Sequence, residues 1–145
     1  MKMDWNALTE TIIGLAIKVH RTLGPGLLES AYEKALMVEF QRHGIQAQSQ
    51  VLIPILYEGV EIDQAFRADI VVEDQIILEL KSVKQLDDSV YKQLLTYLRL
   101  SNRKLGLILN FHEELLKNGI KRVVNGSLSV PPPCPSVNSV RDFSE

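Results

Sequence analysis

Cysteine is nearly absent from this chain: among 145 residues only Cys134 carries a thiol. No intrachain disulfide can form, so the fold rests on its core, and a lone thiol suits a reducing cytosol. Long apolar runs are missing too, and none approaches the roughly 20 residues that cross a bilayer. The start, Met1-Lys2-Met3-Asp4-Trp5-Asn6, has an acid and no apolar stretch before a cleavage site, so no secretory signal is expected. Strong charge of either sign is lacking. A formal net charge of −2 argues against coating nucleic acid by charge alone, while leaving room for a local basic patch. The three histidines, His20, His43 and His112, lack metal-ligand spacing and partner cysteines, which argues against a zinc site. His20 is expected to close the first helix, where a cation suits the dipole. Gly24-Pro25-Gly26 lacks the Lys and Ser/Thr of a phosphate-binding loop. These absences point to a soluble, cytoplasmic protein with no membrane partner.

The patterning is informative where the composition is not. Ile12, Ile13, Ala16, Ile17, Val19 and Leu23 recur at helical spacing between Thr9 and Leu23. Gly24-Pro25-Gly26 ends that helix, and a second runs from about Leu27 to His43, with Gly44 placed to terminate it. The period then shortens. Val51–Tyr57, Val60–Val72 and Gln75–Val83 read as strands, joined by turns at Glu58-Gly59 and Glu73-Asp74-Gln75. The last two strands are apolar on both faces, as central strands are. Asp87-Asp88-Ser89 offers caps for a helix over Val90–Leu100. Leu105–Leu109 reads as an apolar strand, and Gly119–Val124 as a lesser strand or turn.

Residues 1–126 therefore form one domain, and 127–145, with Pro131-Pro132-Pro133-Cys134-Pro135, a flexible tail that cannot build a core. The fold class is α/β, more closely an α+β mixed sheet of about four strands flanked by helices.

Three polar residues stand out within the apolar strands. Asp69 lies in Arg67-Ala68-Asp69-Ile70-Val71-Val72, and Glu79 and Lys81 lie two apart in Ile77-Leu78-Glu79-Leu80-Lys81, so they share a strand face. Burying two acids and a lysine is costly unless something charged sits among them. A divalent metal and a phosphate meet that need. The plainer reading of Glu79 and Lys81 is an ion pair on an edge strand, worth about 0–1 kcal/mol.

The element order and these residues resemble the PD-(D/E)XK nuclease superfamily, and within it the small bacterial proteins named for a G-x-x-E-x-x-Y signature. That signature reads here as Gly26-Leu27-Leu28-Glu29-Ser30-Ala31-Tyr32. Asp69 matches the superfamily's acid, Glu79-Leu80-Lys81 its E-x-K, and Gln93-Leu94-Leu95-Thr96-Tyr97 the Q-x-x-x-Y of the following helix. Ala68 stands where the proline of the superfamily's name would be. The resemblance spans roughly Thr9 to Val124 and implies a restriction-endonuclease-like core.

It also implies a metal-dependent nuclease that cleaves phosphodiester bonds of DNA or RNA with Mg²⁺ or Mn²⁺. Asp69 and Glu79 become metal ligands, with the Leu80 carbonyl and with Glu29 as a third acid. Lys81 orients water or meets the developing negative charge. Gln93 and Tyr97, one helical turn apart, would turn toward the acids, with Gln93 hydrogen-bonding a carboxylate or the phosphate. Each has a plainer reading. Glu29 could serve the helix dipole, worth about 0.3–1 kcal/mol; Tyr32 and Tyr97 could be core aromatics. Lys81, Lys84, Lys92, Arg99, Arg103 and Lys104 suggest a basic rim for a phosphate backbone, or simply a solvated face. Two other functions stay open: a nucleic-acid-binding protein without chemistry, and a structural oligomer that retains the fold. A homodimer would help so small a domain embrace a duplex.

Overall fold

The computed structural model describes residues 4–126 and 141–142. Helix α1 (Trp5–Leu23) and helix α2 (Glu29–Arg42) precede a long hairpin of β1 (Ala47–Tyr57) and β2 (Val60–Val72). Strand β3 (Ile76–Lys81), helix α3 (Asp88–Leu100) and strand β4 (Leu105–Asn110) form a crossover unit. A short 3-10 turn (Leu116–Gly119), β5 (Ile120–Val124) and β6 (Arg141–Asp142) follow. The strands form one sheet in chain order, antiparallel except for the parallel β3–β4 pair. This is the expected mixed α+β fold, of restriction-endonuclease-like type. Among the described residues six strands replace the roughly four expected, because 120–124 is a full strand and 141–142 adds a short one. Apart from 141–142, the expected flexible tail lies outside the described residues.

Alternation along the strands builds a core on each face of the sheet. One face joins Ile76, Leu78, Leu80, Leu105, Leu107 and Leu109 to α1 and α2 through Ile12, Ala16, Tyr32, Leu36 and Phe40. The other joins Ile77, Ile108 and Val123 to Leu94 and Leu98 of α3. Covering both faces makes β3 and β4 apolar throughout. Gly106 lets α3 approach closely: a Cβ there would stand 2.9 Å from Leu94 Cδ2.

The helix ends follow local chemistry. Asp4 and Asp87 cap α1 and α3, accepting from the amides of Asn6 at 3.0 Å and Ser89 at 3.2 Å. Gly24 and Gly26, with φ of 79° and 104°, take left-handed conformations that carry the chain sharply into α2. His20 lies in the last turn of α1 as expected, with its ring buried 6.0 Å from Phe111 and Nε2 without a hydrogen-bond partner among the described residues.

Candidate active site

The site lies where the sheet splits. Between β2 and β3 the paired residues run from Val72–Ile76 to Ile70–Leu78 and stop there. Between β3 and β4 pairing continues to Lys81–Asn110. Asp69 follows the last β2–β3 pair, and its Oδ2 accepts the Leu80 amide at 2.8 Å. A side-chain carboxylate thus takes the donor that a continuing ladder would have used. Glu79 lies in the same register opposite Asp69, flanked by β4 on its other side, so the edge-strand reading of Glu79 and Lys81 does not apply.

Glu29 reaches the same end of β3 from the start of α2. Its Oε2 accepts the Ser82 amide at 3.2 Å, and the Ser82 hydroxyl donates to the Leu27 carbonyl at 3.0 Å. Tyr32 fixes the loop that delivers Glu29. Its hydroxyl donates to the Gly24 carbonyl at 2.5 Å and accepts the Leu27 amide at 3.1 Å, while its ring stacks on Phe111 at 4.2 Å. Tyr32 is therefore a core aromatic whose polar tip holds the loop beside the acids.

The electrostatics place these groups in one neighbourhood. Burial raises the Asp69 carboxyl above its ordinary value. The Leu80 amide and Lys81 ammonium pull it back, the Glu29 carboxylate pushes it further up, and the Gln50 carboxamide lowers it. Burial, then the Asp69 charge, pushes Glu79 up to about 7 against the pull of Lys81. Glu79 Oε1 is buried and has no hydrogen-bond partner among the described residues. Such an atom calls for a donor or a cation.

Oxygen donors of this kind fit a hard divalent cation, which needs only one or two carboxylates when water completes its shell. Among the described residues, no three His, Cys, Asp or Glu side chains are grouped as a ready cage. The fit therefore rests first on Asp69 and Glu79, which lie in register across the split; Asp69 and Glu29 each spend one oxygen on a backbone amide and keep the other.

The helix residues stand differently. Gln93 is exposed on α3 and has no hydrogen bond to the acids. Tyr97 stacks on Phe66, with ring centroids 3.4 Å apart, in the core beneath α3. Of the basic residues, Arg103 pairs with Asp74 at 2.8 Å and Lys104 lies 5.0 Å over the Trp5 ring, so neither extends a basic rim. Lys84, Lys92 and Arg99 are exposed.

Two contributors escaped the sequence reading. Asn110, opposite Lys81, holds the loop after β3, and Gln50 of β1 lies against Asp69. A polar residue ending the apolar run Leu105–Leu109 was the available signal for Asn110; Gln50, in a polar stretch, gave none.

The family model of the PD-(D/E)XK nuclease superfamily matches residues 6–123. The chain belongs to the PD-(D/E)XK nuclease superfamily. The match runs from the first turn of α1 to the penultimate residue of β5 and includes Asp69, Glu79 and Lys81. Neither the curated proteins nor the solved structures gave a match. Nuclease-like chemistry on nucleic acid is what superfamily membership suggests for this fold. No helix among the described residues is long and apolar enough to cross a membrane.

Proposed function

We propose that this protein is a metal-dependent nuclease hydrolysing phosphodiester bonds of nucleic acid at Asp69, Glu79 and Lys81. One observation carries the reading: the buried Oε1 of Glu79, without a hydrogen-bond partner among the described residues, stands in the split of the sheet beside the raised Asp69 carboxyl. Asp69 and Glu79 would hold Mg²⁺ or Mn²⁺, with the Leu80 carbonyl as a further oxygen. When bound, the cation supplies Lewis acidity at the phosphate and a more acidic water. Lys81, whose charge acts on both acids, would neutralise charge developing on a phosphate oxygen. Glu29 holds the Ser82 amide and so keeps the end of β3 in place. Gln93, exposed on α3, is available to the phosphate rather than to the acids.

The Gly26, Glu29 and Tyr32 signature supports a place among the small G-x-x-E-x-x-Y proteins of the superfamily, acting in the cytoplasm. A homodimer would give two such domains the reach to embrace a duplex.

The direct assay incubates purified protein with single- and double-stranded DNA and RNA plus Mg²⁺ or Mn²⁺. Cleavage is expected, and it disappears in Asp69→Ala and in Lys81→Ala. Cleavage that survives in either variant excludes this site. A second reading, nucleic-acid binding without chemistry, draws support from the fact that no three His, Cys, Asp or Glu side chains are grouped to hold a metal among the described residues. It predicts salt-dependent affinity with no turnover under either metal.

A further inference from the structure

Strand alternation breaks at one position in both arms of the long hairpin. In β2, Ala68 packs on the α3 face while Ile70, two residues on, packs on the α1–α2 face. In β1, Ala47 packs on the α1–α2 face, whereas Val51 and Ile53 pack on the α3 face. Residues at even spacing along a regular strand share a face, so each strand reverses between these points. The pairs Ser49–Ile70 and Val51–Ala68 bracket the reversal and leave Gln50 opposite Asp69.

Gln50 has a φ of 54°. That is left-handed backbone in the middle of a strand, where glycine would be the least strained residue. The side chain present there is engaged. Its Nε2 donates to Glu33 Oε1 of α2 at 2.9 Å, and its carboxamide lies against Asp69. The carboxamide therefore stands between the helix that carries Glu29 and the acid that takes the Leu80 amide.

We propose that Gln50 is a positioning residue for Asp69: its left-handed backbone sets a carboxamide between Glu33 and Asp69 and fixes the carboxylate for a divalent cation. The cation part rests on the nuclease reading above. The positioning part is testable without metal, because the Leu80 amide reports directly on where the Asp69 carboxylate sits.

The experiment compares wild type, Gln50→Gly and Gln50→Asn by amide hydrogen exchange, thermal melting and Mn²⁺ calorimetry. Glycine relieves the backbone, so Gln50→Gly keeps or raises the Tm. Its Leu80 amide exchanges about tenfold faster, while the Ile77 and Leu78 amides are unchanged. Mn²⁺ affinity falls about tenfold, as expected when a group orienting a ligand is lost. Gln50→Asn tolerates the backbone and retains a carboxamide, so it recovers part of both losses. Wild-type Leu80 exchange in Gln50→Gly overturns the proposal, as does faster exchange spread evenly over Ile77, Leu78 and Leu80. Unaltered Mn²⁺ affinity in a protein that binds Mn²⁺ overturns it too. If wild type binds no Mn²⁺, the metal-dependent reading fails and Leu80 exchange alone decides the role of Gln50.

Discussion

Asn110 stands opposite Lys81 in the parallel β3–β4 ladder and grips Val83 from both ends of its carboxamide. Its Oδ1 accepts the amides of Val83 at 3.1 Å and His112 at 3.2 Å, while Nδ2 donates to the Val83 carbonyl at 2.9 Å. Asn110 is buried, so truncation strands backbone groups away from water. Asn110→Ala should lose about 1–3 kcal/mol of stability. Urea unfolding gives that figure, and faster exchange of the Val83 amide localises the loss to the loop after Lys81.

Glu79 should make stability depend on pH in an unusual direction. Its folded carboxyl titrates at about 7 against an ordinary value of 4.5. Below 4.5 both folded and unfolded chains hold the proton, and Glu79 contributes no penalty. Between 4.5 and about 7 the unfolded chain gives up the proton while the folded chain keeps it, so stability falls as pH rises. The penalty levels off above that window at no more than about 3 kcal/mol. Glu79→Gln removes it. Denaturation curves should show the variant more stable than wild type by about 1–3 kcal/mol near pH 8, and nearly equal to it near pH 4. Equal stability gains at both pH values would count against the burial of this acid.

Two glycines test packing around the site, and they should differ in severity. A Cβ on Gly106 meets the flexible end of Leu94 at 2.9 Å, whereas one on Gly119 meets the Asn110 carbonyl oxygen at 2.5 Å. Leu94 can turn aside; a backbone carbonyl in a central strand cannot. Gly106→Ala should cost about 1–3 kcal/mol, and Gly119→Ala more than that. Thermal melts of the two variants rank them directly.

Much of this was legible in the sequence, for identifiable reasons. Helical spacing and the Gly24-Pro25-Gly26 break located α1 and α2, and the apolar runs around Glu79 marked β3 as central. β1 starts at Ala47 rather than Val51 because Gln48, Ser49 and Gln50 are polar and exposed, which hid the edge strand. The 120–124 segment was hard to recognise because Lys121 and Arg122 interrupt its apolar residues. At the site, Asp69 and Glu79 face each other across the split beside Lys81, and Glu29, which only the family resemblance had pointed to, reaches the same end of β3. Gln93 and Tyr97 shared a helical face on paper, yet Gln93 is exposed and Tyr97 is stacked on Phe66. Spacing within a helix does not fix how that helix rotates against its sheet. Gln50 depends on hairpin register and a left-handed backbone, neither of which its neighbours encode.

The central claim is that the Asp69 and Glu79 carboxylates jointly bind a divalent cation. Anomalous diffraction from a crystal soaked in Mn²⁺ tests it most directly. The account predicts one strong peak contacting both carboxylates, lost in Asp69→Ala. Peaks confined to surface acids, with the split between β2 and β3 empty, would contradict it.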